Sequence, residues 1–222
     1  MKGNAFNDVF RAMRHNMVES QIKARGVYDP HVLNAMNKVP RHVFVADSFA
    51  NVAYDDCPQP IGYGQTISQP FMVAYMAEAA RLAPNDKVLE VGTGCGYAAA
   101  IFAEIAQDVY TIETIKELST DAALRLTNLG YKNIHCLATD GSVGYPDQAP
   151  FDAIIVAASA PSVPNSLKQQ LAVNGRLIIP VKLNAFGEAL VRITRKENNE
   201  FEQEHLMDVR FVPLIGKEGF RS

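Results

Sequence analysis

Cysteine is scarce in this chain of 222 residues. Cys57, Cys95 and Cys136 are odd in number and widely spaced. They form no CxxC pair and point to a reducing cytoplasm. The five histidines, at positions 15, 31, 42, 135 and 205, lack metal-ligand spacing, so no metal is expected. No charge of one sign dominates. The 21 Lys and Arg residues against 24 Asp and Glu give a formal net charge of −3, with no basic block. That disfavours a phosphate-backbone partner, and no nucleic acid is expected. Long apolar runs are missing as well. AIIVAA at 153–158 is among the longest, far below the roughly 20 residues that span a bilayer. The opening MKGNAFNDVF has no apolar signal core, so the expectation is a soluble cytoplasmic protein with no membrane partner. Repeats and low-complexity linkers are absent too.

What is present is an ordinary globular composition, 48% hydrophobic and 20% charged. A chain of this length buries one sizeable core, so a single domain is expected. Residues 1–60 read as a helical extension. Val9, Phe10, Met13, Met17 and Ile22 recur at helical spacing, and Asp29-Pro30 is a cap followed by a proline suited to the first helical turn. Residues 41–60 read as irregular. Residues 61–181 hold a loop, a helix whose Met72 and Met76 are core by spacing, and then alternating strands and helices. Strands are predicted at 87–92, 108–113, 133–139, 151–158 and 176–181. Helices are predicted near 97–106, 115–129 and 164–172, the last ending at Asn174-Gly175. Such alternation indicates a parallel sheet covered by helices on both faces. Residues 182–222 carry EALVRITRK and FEQEHLMDVRFV around a short polar turn, an antiparallel hairpin at the sheet edge.

The strand-turn-helix at 87–106 contains Glu90-Val-Gly92-Thr93-Gly94-Cys-Gly96. Its glycines permit a sharp turn and a close ligand approach. The spacing is GxGxG, with Tyr97 where a dinucleotide fingerprint needs glycine. A smaller nucleoside ligand fits better, and S-adenosyl-L-methionine is the candidate. Glu113 ends the next strand, 21 residues after Gly92, near the offset at which a carboxylate reaches ribose hydroxyls. Asp140-Gly141 ends the third strand, where Asp140 could accept from an adenine amine and Gly141 leave room for the ring. All three fall at carboxyl ends of adjacent strands, the usual ligand position in such sheets.

Ahead of this motif lies IGYGQTISQP, residues 61–70. Two readings of Ser68 stand side by side. Serine is a preferred N-cap and Pro70 suits an early helical position, although the capping-box partner would be Glu or Gln and is Phe71. Alternatively, the hydroxyls of Thr66 and Ser68 serve a substrate. Arg41 and His42 follow Pro40 in a loop, where a surface or structural role and substrate contact both stand open. Tyr97 reads as packing, and His135 as a packed or hydrogen-bonded core residue.

Taken together, MVESQIKARGVYDPHVLNAMNKVPRHVFV, IGYGQTISQPFMVAYM, KVLEVGTGCGYAAAIFAEI, VYTIETIKEL, APFDAIIV and VRFVPLIG resemble the protein-L-isoaspartate (D-aspartate) O-methyltransferase family over most of residues 17–216. The resemblance implies a Rossmann-like S-adenosylmethionine-dependent sheet, mostly parallel, with an antiparallel C-terminal hairpin and an N-terminal helical extension. It implies methyl transfer to the free carboxylate of L-isoaspartyl, and D-aspartyl, residues of damaged proteins and peptides, carried out by a monomer. The methyl ester then collapses to a succinimide, whose hydrolysis returns some normal aspartate. The family's active-site serine matches Ser68, with Thr66 and Gln69 beside it on the substrate loop. Its cofactor residues match Glu90, Gly92, Thr93, Gly94, Gly96, Glu113, Asp140 and Gly141. The chain departs from the family pattern at Cys95, Thr139, Ala157 and the 182–187 segment, which touches the substrate rim more than the cofactor site. The alternative is a related carboxylate methyltransferase acting on a modified peptide or small molecule.

Overall fold

The structure is a computed structural model and describes residues 2–183 and 187–221. The chain opens on α1 (Lys2–Asn16), whose last turn widens into a π-turn at Met17–Ile22 and tightens again over Lys23–Arg25. Gly26, at φ 97°, ends the run. Helix α2 (Pro30–Lys38) starts as its sequence dictates: Asp29 Oδ1 accepts from the N–H groups of His31 and Val32. The stretch predicted as irregular contains two short 3₁₀ turns, Arg41–Phe44 and Asp47–Val52. A small hairpin follows, β1 (Gln59–Gly62) and β2 (Gln65–Ile67), then α3 (Pro70–Ala79).

The central sheet is built from β3 (Lys87–Val91), β4 (Asp108–Glu113), β5 (Ile134–Ala138), β6 (Phe151–Val156), β7 (Leu171–Lys182), β8 (Glu188–Arg195) and β9 (Phe201–Val209). Helices α4 (Tyr97–Ala103), α5 (Lys116–Asn128) and α6 (Asn165–Gln169) connect the parallel strands. Spatial order is β5-β4-β3-β6-β7-β8-β9. The first five strands are parallel, and β8 and β9 return antiparallel. The expected fold class is therefore the observed one. Chain order runs outward in opposite directions from the β3–β6 pair, which makes that pair the switch point where a crevice opens.

Alternation within the buried strands supplies both faces of the sheet. Val88, Ala153 and Ile155 join the core under α2, α3 and α4, while Leu89, Ile154 and Val156 join the one on the opposite face. Met76 is buried in the first of these, with Met72 packed against it.

The segment after α6 corrects one predicted boundary. The helix ends at Gln169, and the strand begins at Leu171 rather than at 176. Asn174, at φ 63°, and Gly175 sit inside β7, where the register against β6 slips between Phe151 and Ala153. A side chain at 175 would meet Ala172 O and Phe151 O at 2.8 and 3.0 Å, so the Asn-Gly pair marks a bulge and not a helix end. His135 is not a core residue either. It lies exposed on the edge strand β5, stacked on Tyr110 and 3.4 Å from Asp108 Oδ1. Of the divergent 182–187 segment, Asn184, Ala185 and Phe186 lie outside the described residues.

Candidate active site

A cavity of about 270 Å³ opens at the carboxyl ends of β3, β4 and β6. Its walls come from the β1–β2 hairpin, the glycine loop after β3, the ends of β4 and β6, and a C-terminal segment.

The glycine loop forms one side. Gly92 and Gly94 take φ 99° and 52°, conformations that side chains resist, and a Cβ on Gly94 would meet Ile61 Cδ1 at 3.1 Å. The N–H groups of Gly92 and Thr93 both reach Ile112 O. Gly94 N–H donates to Glu113 Oε2 at 2.9 Å, while Glu113 Oε1 accepts from Ile115 N–H at 3.1 Å. Gly96 does not line the cavity; its missing side chain makes room for Leu126 of α5. The close approach at Gly141 is tighter still, since a Cβ there would lie 2.6 Å from Val91 Cγ1.

Glu90 is fully buried on the cavity wall. Its Oε2 accepts from Thr111 Oγ1 at 2.5 Å. Thr111 has one hydroxyl proton, so the 2.6 Å contact between Thr93 and Thr111 must be donated by Thr93. Glu90 Oε1 is buried without a hydrogen-bond partner among the described residues. Burial drives its pKa up to about 8, opposed by the Thr111 hydroxyl and aided by the Glu113 charge. A buried, half-satisfied carboxyl costs stability and marks a place where a cation belongs.

The opposite side is the Ser68 loop. Gly62, Tyr63 and Gly64 all take positive φ in the hairpin turn, which carries Thr66 and Ser68 to the cavity rim. Helix α3 does not use Ser68 as its cap. The N-cap position is Gln69, whose side chain makes no capping bond, and it is Asp56 Oδ1 that accepts from Phe71 N–H, at 3.3 Å. Ser68 lines the cavity, and its hydroxyl has no hydrogen-bond partner among the described residues. Gln69 points elsewhere: its amide donates to Asp56 O and Oδ2 at 3.0 and 2.7 Å.

Arg41, expected in a surface or structural role, is wholly buried and structural. Its guanidinium donates to Ala53 O at 2.7 Å and Ser68 O at 2.8 Å and lies 4.7 Å from the centre of the Tyr97 ring. Burial lowers its pKa, and the neighbouring Tyr97 and Cys95 oppose that. Tyr97 is buried as expected but also lines the cavity, so Arg41 ties the Ser68 loop to the start of α4. Arg41→Met strands two carbonyls. It is expected to destabilise the fold by about 1–3 kcal/mol in urea unfolding and to lower turnover in the protein that remains folded.

Asp140 does not line the cavity, although its neighbour Gly141 does, and its carboxylate is engaged. Oδ1 accepts from Ser142 N–H and Oγ–H at 2.8 and 2.7 Å, and Oδ2 accepts from Lys217 N–H at 2.8 Å. Sequence reasoning singled out Ala157 as a departure from the family pattern but passed over Ala158 and the Val212–Ile215 wall. These carry no chemically reactive side chain. The only signal for Val212–Ile215 was VRFVPLIG among the family-like segments.

A profile described as protein-L-isoaspartate(D-aspartate) O-methyltransferase (PCMT) matches residues 12–219. The chain belongs to that family. It is 55% identical over 205 residues to the protein-L-isoaspartate O-methyltransferase of Picosynechococcus sp., covering 92% of this chain and 91% of that one. Against the protein of the same name from Geobacter metallireducens, identity is 52% over 211 residues, 95% and 97% of the two chains. A Plasmodium falciparum protein described as a protein-L-isoaspartate O-methyltransferase, solved with S-adenosyl-L-homocysteine, superposes with a TM-score of 0.79 at 29% identity. That match covers 91% of this chain and 98% of the other. The glycine loop and the Ser68 loop both line this cavity.

Proposed function

We infer that the protein is an S-adenosyl-L-methionine-dependent methyltransferase that esterifies the free carboxylate of L-isoaspartyl residues in damaged proteins. The observation that carries this reading is the convergence of the Ser68 loop and the glycine loop on one cavity, within a family match that spans nearly the whole chain.

The donor-side residues suit the cofactor chemically. Glu90 Oε1 is the unpartnered buried acceptor that an ammonium group would satisfy. Glu113 offers a carboxylate beside the glycine loop for ribose hydroxyls, and Gly92, Thr93, Gly94 and Gly141 leave the space. When bound, S-adenosyl-L-methionine supplies a methyl group on a positively charged sulfur. A carboxylate with an ordinary pKa near 4 is already ionised at neutral pH, so this chain need supply no general base. Its work is placement and exclusion of water. The Ser68 hydroxyl donates to one acceptor oxygen while the other attacks the methyl carbon. Ala157, Ala158 and the Val212–Ile215 wall keep the approach dry. Thr66 supports the loop at the rim, and Gln69 holds its base against Asp56. The C–S bond electrons stay on sulfur, and no proton has to move.

The chain acts as a single-domain monomer on peptides and proteins in the cytoplasm, without nucleic acid or membrane. A net charge of −3 without a basic block supports this. So does the lack, among the described residues, of a helix long and apolar enough to cross a membrane.

Two peptides identical except for isoaspartyl or aspartyl at one position test the function. Incubated with methyl-labelled cofactor, the isoaspartyl peptide should gain base-labile label and its twin should not. Equal labelling of both, or of neither, would overturn the reading. Labelling of small carboxylates instead would favour the related carboxylate methyltransferase.

A further inference from the structure

Parallel pairing sets Glu90 of β3 beside Thr111 of β4, and Thr111 beside Cys136 of β5. This row lies on the sheet face that also carries Val88 and Val109, which join the core under α2, α3 and α4. Valine at 111 would suit such a strand and would leave no polar group to satisfy. Threonine stands there instead, fully buried. Its hydroxyl makes two short contacts, 2.5 Å to Glu90 Oε2 and 2.6 Å to Thr93 Oγ1. Thr111 is not on the cavity surface, whereas Glu90 and Thr93 both are. The hydroxyl therefore acts through two residues that line the site.

We propose that Thr111 is a positioning residue for cofactor binding: it holds Glu90 by Oε2, leaving Oε1 as the acceptor for the ligand ammonium, and Thr93 fixes the Thr111 hydroxyl in that direction. The proposal rests on the methyltransferase reading through the cofactor alone. A threonine hydroxyl has one proton to give. With Glu90 ionised, that proton goes to Oε2, so Thr93 must donate to Thr111. The chain of donors runs from the glycine loop across β4 to β3, and it holds an ionised Glu90 more strongly than a neutral one. The ionisable groups that bear on Glu90 give it no such help. Glu113 adds a second negative charge. Burial raises the thiols of Cys95 and Cys136, the latter to about 11, so both stay neutral while Glu90 titrates. Thr111 is the group that opposes burial and Glu113.

The test compares the full-length wild type with Thr111→Val, which keeps the shape and removes the hydroxyl, and Thr111→Ser, which keeps the hydroxyl and removes the methyl. Two quantities are read from neutral to alkaline pH: the Kd of S-adenosyl-L-homocysteine, and the stability of the free protein in urea. In Thr111→Val the pH at which affinity levels off should move up by about one unit, because ionised Glu90 has lost its donor. The Kd at neutral pH should then be about tenfold weaker. The gap should close at alkaline pH, where Glu90 is ionised in both proteins. In the free protein, the decline of stability that ends near the folded pKa of Glu90 should run about one unit further. Thr111→Ser should keep both profiles, with Kd within about threefold of wild type, and should lose only a pH-independent increment of stability with its buried methyl. Thr93→Val, read on the free protein alone, removes the outer donor. It should shift the stability profile the same way by less, and it serves if Thr111→Val does not fold. Wild-type profiles in Thr111→Val would overturn the proposal. So would a Thr111→Ser protein that behaves as Thr111→Val, since packing and not the hydroxyl would then matter. A wild type that fails to bind S-adenosyl-L-homocysteine would refute the cofactor reading, while the stability profiles would still decide whether Thr111 governs Glu90.

Discussion

Replacing Ser68 with alanine is expected to lower kcat on an isoaspartyl peptide by about 100-fold while moving Tm by no more than about 1 °C. The size of the kinetic effect follows from removing a positioned donor from a dry site, where one such hydrogen bond contributes about 3 kcal/mol to the transition state. The small effect on stability follows from the structure. An N-cap serine replaced by alanine would cost about 1 kcal/mol, but Ser68 caps nothing. Asp56 serves the first turn of α3, and the Ser68 hydroxyl has no partner among the described residues. What the fold uses at this position is the Ser68 carbonyl, which Arg41 holds and alanine retains. Affinity for S-adenosyl-L-homocysteine should be unchanged. Steady-state kinetics beside a thermal melt separates the two effects. A melt lowered by several degrees with normal turnover would restore the capping role.

Cofactor binding is expected to be coupled to the ionisation of Glu90. In the free protein burial pushes this carboxyl up to about 8, so it carries a proton at neutral pH. Its unpartnered Oε1 is the acceptor available to a ligand ammonium, which favours the ionised form. Binding at pH 7 should therefore release up to one proton, and affinity should rise with pH until about 8. Calorimetry in two buffers of different ionisation enthalpy measures that proton directly. The same group shapes the stability of the free protein. Its folded pKa lies above the unfolded 4.5, so the folded state holds more protons between about 4.5 and about 8. The stability it contributes is complete below that window and is lost as pH rises through about 8. A shift of this size is worth on the order of 5 kcal/mol. Glu90→Gln should flatten the profile, leave the free protein more stable than wild type above pH 8, and bind cofactor more weakly. Proton release unchanged in Glu90→Gln would remove Glu90 from this role.

The parts of the fold set by local chemistry were legible in the chain. Strand β4 falls at 108–113 as read, with Val109 and Ile112 buried in the cores on opposite faces of the sheet. Asp29 caps α2 because an aspartate before proline at a helix start has few better uses. Glycine spacing and the acid at 113 pointed to residues that the fold brings to one cavity, as both depend on short offsets within one βαβ unit. Where local chemistry was ambiguous, distant residues decided. Asn174-Gly175 reads from the sequence as a helix end, and pairing with β6 makes it a bulge. Ser68 lost the cap to Asp56, 12 positions earlier in the chain. Arg41 looked like a loop cation; only the fold encloses it between Ser68, Ala53 and Tyr97. The engagement of Asp140 by Lys217 spans 77 positions and rests on a backbone N–H, which no side-chain pattern announces.

The most direct test of the central claim is to follow an isoaspartyl peptide through repair. The purified protein is incubated with S-adenosyl-L-methionine, and the isoaspartyl, methyl ester, succinimide and aspartyl forms are resolved over time by chromatography. The expected result is loss of the isoaspartyl form, transient ester and succinimide, and accumulation of the normal aspartyl peptide, with none of these changes when cofactor is omitted. An isoaspartyl peptide that persists unchanged beside protein that binds the cofactor would contradict the assignment.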